Sequence, residues 1–177
     1  SAIEGEKRSI AAEKNPEVVR YNAGVSGEVY RKIDGKLYFW QQPGYSCDQG
    51  YTAGFLFWNM SWCDGLMLDE SMKTGDTVTS ADGITLTYLK NDGACDTPAG
   101  HFENCSVYVV DGERFKYTHC ETWLCDGIGI VRQIATRHDD SYEWVLSSYK
   151  TGGKGGLLPF EAGNRWEYAL ATPETLR

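Results

Sequence analysis

Apolar and polar residues alternate with a period of two along most of this 177-residue chain, and glycine-containing turn signals separate the alternating runs. A period of two is the signature of half-buried β-strands. GEVYRKIDGKLYFWQQ, beginning at Gly27, places two such runs around Asp34-Gly35, a pair suited to a two-residue hairpin loop. Phe55 to Trp62 is densely apolar and aromatic and predicts a buried strand, while LDESMKTGD reads as a connection. Ile84, Leu86 and Tyr88 then alternate with Thr85 and Thr87. IGIVRQIATRHDDSYEWVLSSYK predicts two strands about the turn HDDS, and Arg165 to Leu170 predicts a last strand.

The densest alternation lies in Thr97 to Arg132. There Phe102, Asn104, Ser106, Tyr108 and Val110 share one face, and Phe115, Tyr117, His119, Glu121 and Trp123 share a face of the returning strand. Asp111-Gly112 as a type I′ loop and Gly112-Glu113 as a type II′ loop give two registers. Only the second places Cys105 opposite Cys120 and Tyr108 opposite Tyr117, so it is the expected one. The whole pattern predicts a mainly β fold: an antiparallel meander of seven or eight strands, forming a strongly curved sheet or a small sandwich or barrel. Residues 25–177 form one domain, preceded by a linker or short helix over residues 1–24, where no apolar stripe is sustained.

Charge and cysteine content narrow the partners and the compartment. With a net charge of −8 and dispersed Lys and Arg, the chain lacks a basic stripe for nucleic acid or an anionic membrane. No run of about 18 apolar residues suggests insertion of this segment into a membrane. Cys47, Cys63, Cys95, Cys105, Cys120 and Cys125 form an even set without a C-x-x-C pair, so disulfides and an extracytoplasmic setting are expected, with reduced core thiols as the alternative. Cys105–Cys120 is the favoured bridge. The rival set is Cys120–Cys125, Cys47–Cys63 and Cys95–Cys105, among fifteen connectivities that spacing leaves open.

Four fragments, in order, resemble the repeat domains of bacterial exported proteins and lipoproteins: Leu68 to Asp76, Thr97-Pro98-Ala99-Gly100-His101-Phe102-Glu103-Asn104-Cys105, Gly127-Ile128-Gly129-Ile130-Val131, and Pro159-Phe160-Glu161-Ala162-Gly163-Asn164-Arg165-Trp166-Glu167-Tyr168. The resemblance implies a curved antiparallel sheet in an envelope protein of unassigned activity, and it brings no catalytic residues. It also implies a larger multi-repeat protein, with residues 157–177 opening a following repeat.

Candidate chemistry is sparse. His101, His119 and Cys105 or Cys120 are residue types that suit zinc, but alternation separates the histidines onto opposite faces, so no metal is expected. A Cys-His nucleophile would be lost to a disulfide. Asp69-Glu70 and Asp139-Asp140 read as solvated or capping turn residues, and the glycines of PAG and GIG read as turns or bulges with no helix to complete a phosphate cradle. Asn59 and Asn104 head glycosylation patterns that are expected to be empty. Trp40, Tyr45, Tyr51, Trp58, Trp62 and Trp123 are the candidate ligand platform, against the plainer role of core filling. These features predict a non-enzymatic structural or interaction module without a cofactor, whose partner is a protein or a glycan. The alternative is a carbohydrate- or small-ligand-binding domain using exposed aromatic residues.

Overall fold

The computed structural model describes residues 5–12, 18–23, 26–39, 66–79, 83, 85–112, 118–137, 139–154, 156–159 and 161–171. These form twelve strands: β1 (Gly5–Ala12), β2 (Val18–Ala23), β3 (Ser26–Ile33), β4 (Lys36–Phe39), β5 (Leu66–Asp69), β6 (Thr77–Thr79), β7 (Thr85–Thr97), β8 (Gly100–Asp111), β9 (His119–Cys125), β10 (Gly129–Arg137), β11 (Asp140–Lys150) and β12 (Arg165–Leu170). No helix occurs among the described residues. All twelve strands belong to one sheet in the order β5-β4-β3-β2-β1-β12-β11-β10-β9-β8-β7-β6. β6 to β12 is therefore an uninterrupted seven-strand antiparallel meander, and β1 joins it by pairing Gly5 to Ser9 with Arg165 to Ala169 of β12.

The sheet curls strongly. Laid flat, twelve strands would hold β5 and β6 roughly 50 Å apart, yet residues 70–76 connect them and reach less than about 30 Å when extended. The contacts agree with this. Glu70, just after β5, sits where a Cβ on Gly156 of the β11–β12 loop would come within 3.4 Å of its carboxylate. Leu68 of β5 shares the core with Tyr108 of β8. No ladder joins β5 to β6 among the described residues, so the sheet is not closed into a barrel.

Several turns follow the sequence. Asp34 and Gly35 have φ of 49° and 74°, the pair of positive values a type I′ loop requires, and Ile33 pairs with Lys36. Thr97 pairs with Gly100 across Pro98-Ala99, and Arg137 pairs with Asp140. Two readings are corrected. Residues 5–12 and 18–23 are strands rather than a linker or helix, because β1 takes its hydrogen bonds from β2 and β12, a tertiary contribution that the weak local pattern does not show. The β8–β9 register also differs: Asp111 pairs with His119, and Gly112 N–H donates to the Thr118 carbonyl at 3.1 Å, so neither two-residue loop forms. Cys120 then faces Val110, and Thr122 faces Tyr108. Phe115 and Tyr117 lie outside the described residues.

Two cross-strand rows organise the region from β7 to β12. One runs Tyr88, Tyr108, Thr122, Gln133, Trp144, Leu170 on the inner face of the curl, beside the buried core of Leu68, Leu86, Val110, Leu124 and Leu146. The other runs Lys90, Val107, Trp123, Arg132, Val145, Ala169 on the outer face.

Candidate functional site

The outer row is covered where β7 and β8 extend past the end of β9. Register shifts between Tyr88 and Lys90, between Lys90 and Gly93, and between Gly93 and Cys95 break the ladder, and Asn104 takes a φ of 55°. Such bulges bend a hairpin and redirect its side chains. Here they let the arm from Asp92 to Asn104 reach across β9 and β10: Ala99 N–H donates to the Leu146 carbonyl of β11 at 3.1 Å, and Phe102 packs against Tyr149 with ring centroids 6.1 Å apart. Gly93 is the point of closest approach. A Cβ there would come within 2.9 Å of the Cys105 carbonyl and of the Trp123 ring.

Beneath this arm, Trp123 is buried and attended by two cations. The Lys90 ammonium is 4.8 Å and the Arg132 guanidinium 5.3 Å from its ring centroid, both within cation–π range. Trp123 Nε1–H donates to the Glu121 carboxylate, and Arg132 Nε–H donates to Glu143 at 2.6 Å. The Cys95 thiol lies in the field of Arg132 and Glu143; burial pushes it up, and the guanidinium offsets part of that rise. The group is thus two cations and two carboxylates around one indole and one protonated thiol, with Arg132 paired to Glu143 and Glu121 bound to the indole N–H.

The disulfide sits at the root of the arm. It joins Cys105 to Cys125, with Cα atoms 4.4 Å apart, one step beyond the Ser106–Leu124 pair. This corrects the expected Cys105–Cys120 bridge, because the observed β8–β9 register carries Cys120 to Val110. Cys95 is a free, buried thiol, and Cys120 is buried with its Sγ 3.9 Å from the Thr122 hydroxyl oxygen. Trp123 is corrected as well: at 7% exposure it offers no open ring to a ligand. Cys47, Cys63, Trp40, Tyr45, Tyr51, Trp58, Trp62 and Asn59 lie outside the described residues.

The histidines lie apart, His101 near the start of β8 and His119 at the start of β9, opposite Asp111. His101 Nδ1 is 2.6 Å from Asp96 and its Nε2 is 3.2 Å from Glu103, all exposed, and the hydrogen bond to Asp96 leads the causes that raise its pKa. His119 Nδ1 is 2.6 Å from Asp111. The carboxylate pairs do not converge either, since Asp69 accepts from Ser71 N–H at 2.9 Å, as a turn-capping group does, and Asp139 and Asp140 are exposed in the β10–β11 turn.

The inner face carries buried polar groups in and beside this row. Ser106, Thr122 and Gln133 are buried there, where apolar residues are the norm. Tyr88 and Ser106 hydroxyls meet at 2.8 Å, and Gln133 Nε2–H donates to Thr122 Oγ1 at 3.4 Å. Tyr108 stacks on Tyr88 with centroids 4.5 Å apart and planes 6° apart. Its hydroxyl is buried and has no hydrogen-bond partner.

The chain matches no protein-family model, no curated protein and no solved structure.

Proposed function

We propose that this chain is a non-enzymatic structural or interaction module of an exported bacterial envelope or surface protein, engaging a protein or a glycan through its outer surface. The observation that carries the reading is the fastening of the β7–β8 arm by a disulfide at its root, the Ala99-to-Leu146 backbone hydrogen bond and the packing of Phe102 on Tyr149. Cys105–Cys125 anchors its root, the Lys90, Trp123, Arg132 group lies beneath it, and Glu121 and Glu143 bind within that group rather than facing an open cleft. A disulfide fits an oxidising compartment, and an arm held in this way suits a rigid display surface.

Fractionation of the source cells with thiol labelling tests it. The chain is expected in the extracytoplasmic fraction, with Cys105 and Cys125 refractory to alkylation until a reductant is added. A cytosolic chain with both thiols free would overturn the reading.

A further inference from the structure

We propose that the inner face of the curled sheet holds a small neutral polyhydroxylated ligand, bound through a hydrogen bond with Tyr108. The observation is independent of the outer-face assignment. A buried hydroxyl without a partner forgoes hydrogen bonding that water would have supplied, so nearly all such groups in native proteins are satisfied. Tyr108 is 1% exposed and its hydroxyl lacks any partner, although Ser106 on the same strand and Thr122 on the next are both paired. The neighbourhood is polar by construction: Tyr88, Ser106, Tyr108, Thr122 and Gln133 form a continuous patch over four strands.

The surroundings select the ligand's chemistry. Burial raises the Tyr108 pKa, followed by the charges of Tyr88, Glu70 and Asp69, so the hydroxyl stays protonated and both donates and accepts. The same negative field from Glu70 and Asp69 disfavours an anion. A molecule rich in hydroxyls can accept from Tyr108 and donate toward the carboxylate side, as a neutral monosaccharide does.

Thermal melting of the full chain with and without D-glucose, D-galactose and N-acetyl-D-glucosamine, in wild type and in Tyr108→Phe, is the test. At least one of these sugars is expected to raise the wild-type midpoint, and Tyr108→Phe is expected to bind that sugar at least about tenfold more weakly, the cost of roughly one hydrogen bond. Without sugar, Tyr108→Phe should melt no lower than wild type, because no bond is lost. If Tyr108→Phe does not fold, tyrosine-ring NMR of the wild type decides: the Tyr108 resonances move with sugar while those of exposed Tyr142 and Tyr149 stay. No midpoint shift with any of the three sugars, an equal shift in both proteins, or unmoved Tyr108 resonances would overturn the proposal.

Discussion

On the outer face of β7 to β11, Trp123 holds Lys90 and Arg132 at its ring and donates to Glu121, while Arg132 pairs with Glu143. On the inner face, one strand position away, Tyr108 stacks on Tyr88 and leaves its hydroxyl unmatched. Both rows cross the same strands and are buried to a similar degree at their centres, Trp123 at 7% and Tyr108 at 1%. The difference lies in completeness. A set of groups that satisfies itself contributes rigidity, whereas an unmatched group in the same sheet leaves recognition capacity free.

Removing the ring that organises the outer row should break this contrast most severely. Trp123→Ala is expected to cost about 3–5 kcal/mol, the range for deleting a large buried aromatic side chain, measured by denaturant unfolding. Lys90 and Arg132 lose their shared surface in the same step. A cost under about 1 kcal/mol would mean that the arm is held elsewhere.

Gly93→Ala tests the arm without touching a charge. The added Cβ would meet the Cys105 carbonyl and the Trp123 ring at 2.9 Å and Val107 at 3.0 Å. Because the carbonyl is backbone and cannot swing aside, the change should cost about 1–3 kcal/mol, as overpacking does. It should also release the Ala99-to-Leu146 hydrogen bond, visible as faster amide exchange at Ala99.

The inner row is sharpened by alkaline titration. The Tyr108 pKa is raised in the folded state, so its contribution to stability is complete below the unfolded tyrosine value of about 10 and declines as pH rises from there toward the folded value. The decline is at most about 1.4 kcal/mol per pH unit. Spectroscopic titration should show a class of tyrosines resisting ionisation until the chain unfolds, and Tyr108→Phe should reduce that class by one.

The smallest effect is at the arm's tip. His101 has a raised pKa, chiefly through its hydrogen bond to Asp96, so any stabilisation is present below about pH 6.5 and is lost as pH rises through the folded value. In Asp96→Asn the NMR-measured pKa of His101 should fall toward 6.5. Because the pair is exposed, the melting midpoint should hardly move.

Much of this architecture was legible in the alternation. The Asp34-Gly35 hairpin, the Pro98-Ala99 and HDDS turns, and the antiparallel meander stand where period-two patterning and turn chemistry put them. The β8–β9 register was not. The expected loop at Gly112-Glu113 and the observed one, closing at Thr118, differ by an odd number of residues, and an odd slip exchanges the two faces of a strand. Alternation alone could not reveal it, since β9 carries Cys120, Thr122 and Leu124 on one face and Glu121, Trp123 and Cys125 on the other, and both faces are buried here. The Asn104 bulge hid a second shift, placing Phe102 and Cys105 rather than Phe102 and Asn104 on buried positions. β1 was missed because GEKRSIAA offers few apolar residues and is held by its neighbours' backbones.

Both faces depend on that β8–β9 register, and the cysteines report it directly. Cleavage after glutamate under non-reducing conditions separates the four relevant cysteines: residues 71–103 contain Cys95, 104–113 Cys105, 114–121 Cys120 and 122–143 Cys125. Mass spectrometry should find the 104–113 peptide linked to the 122–143 peptide, with Cys95 alkylated only after denaturation. A 104–113 peptide linked to 114–121 would restore the other register, turn Tyr108 away from Thr122, and contradict the assignment of the two faces.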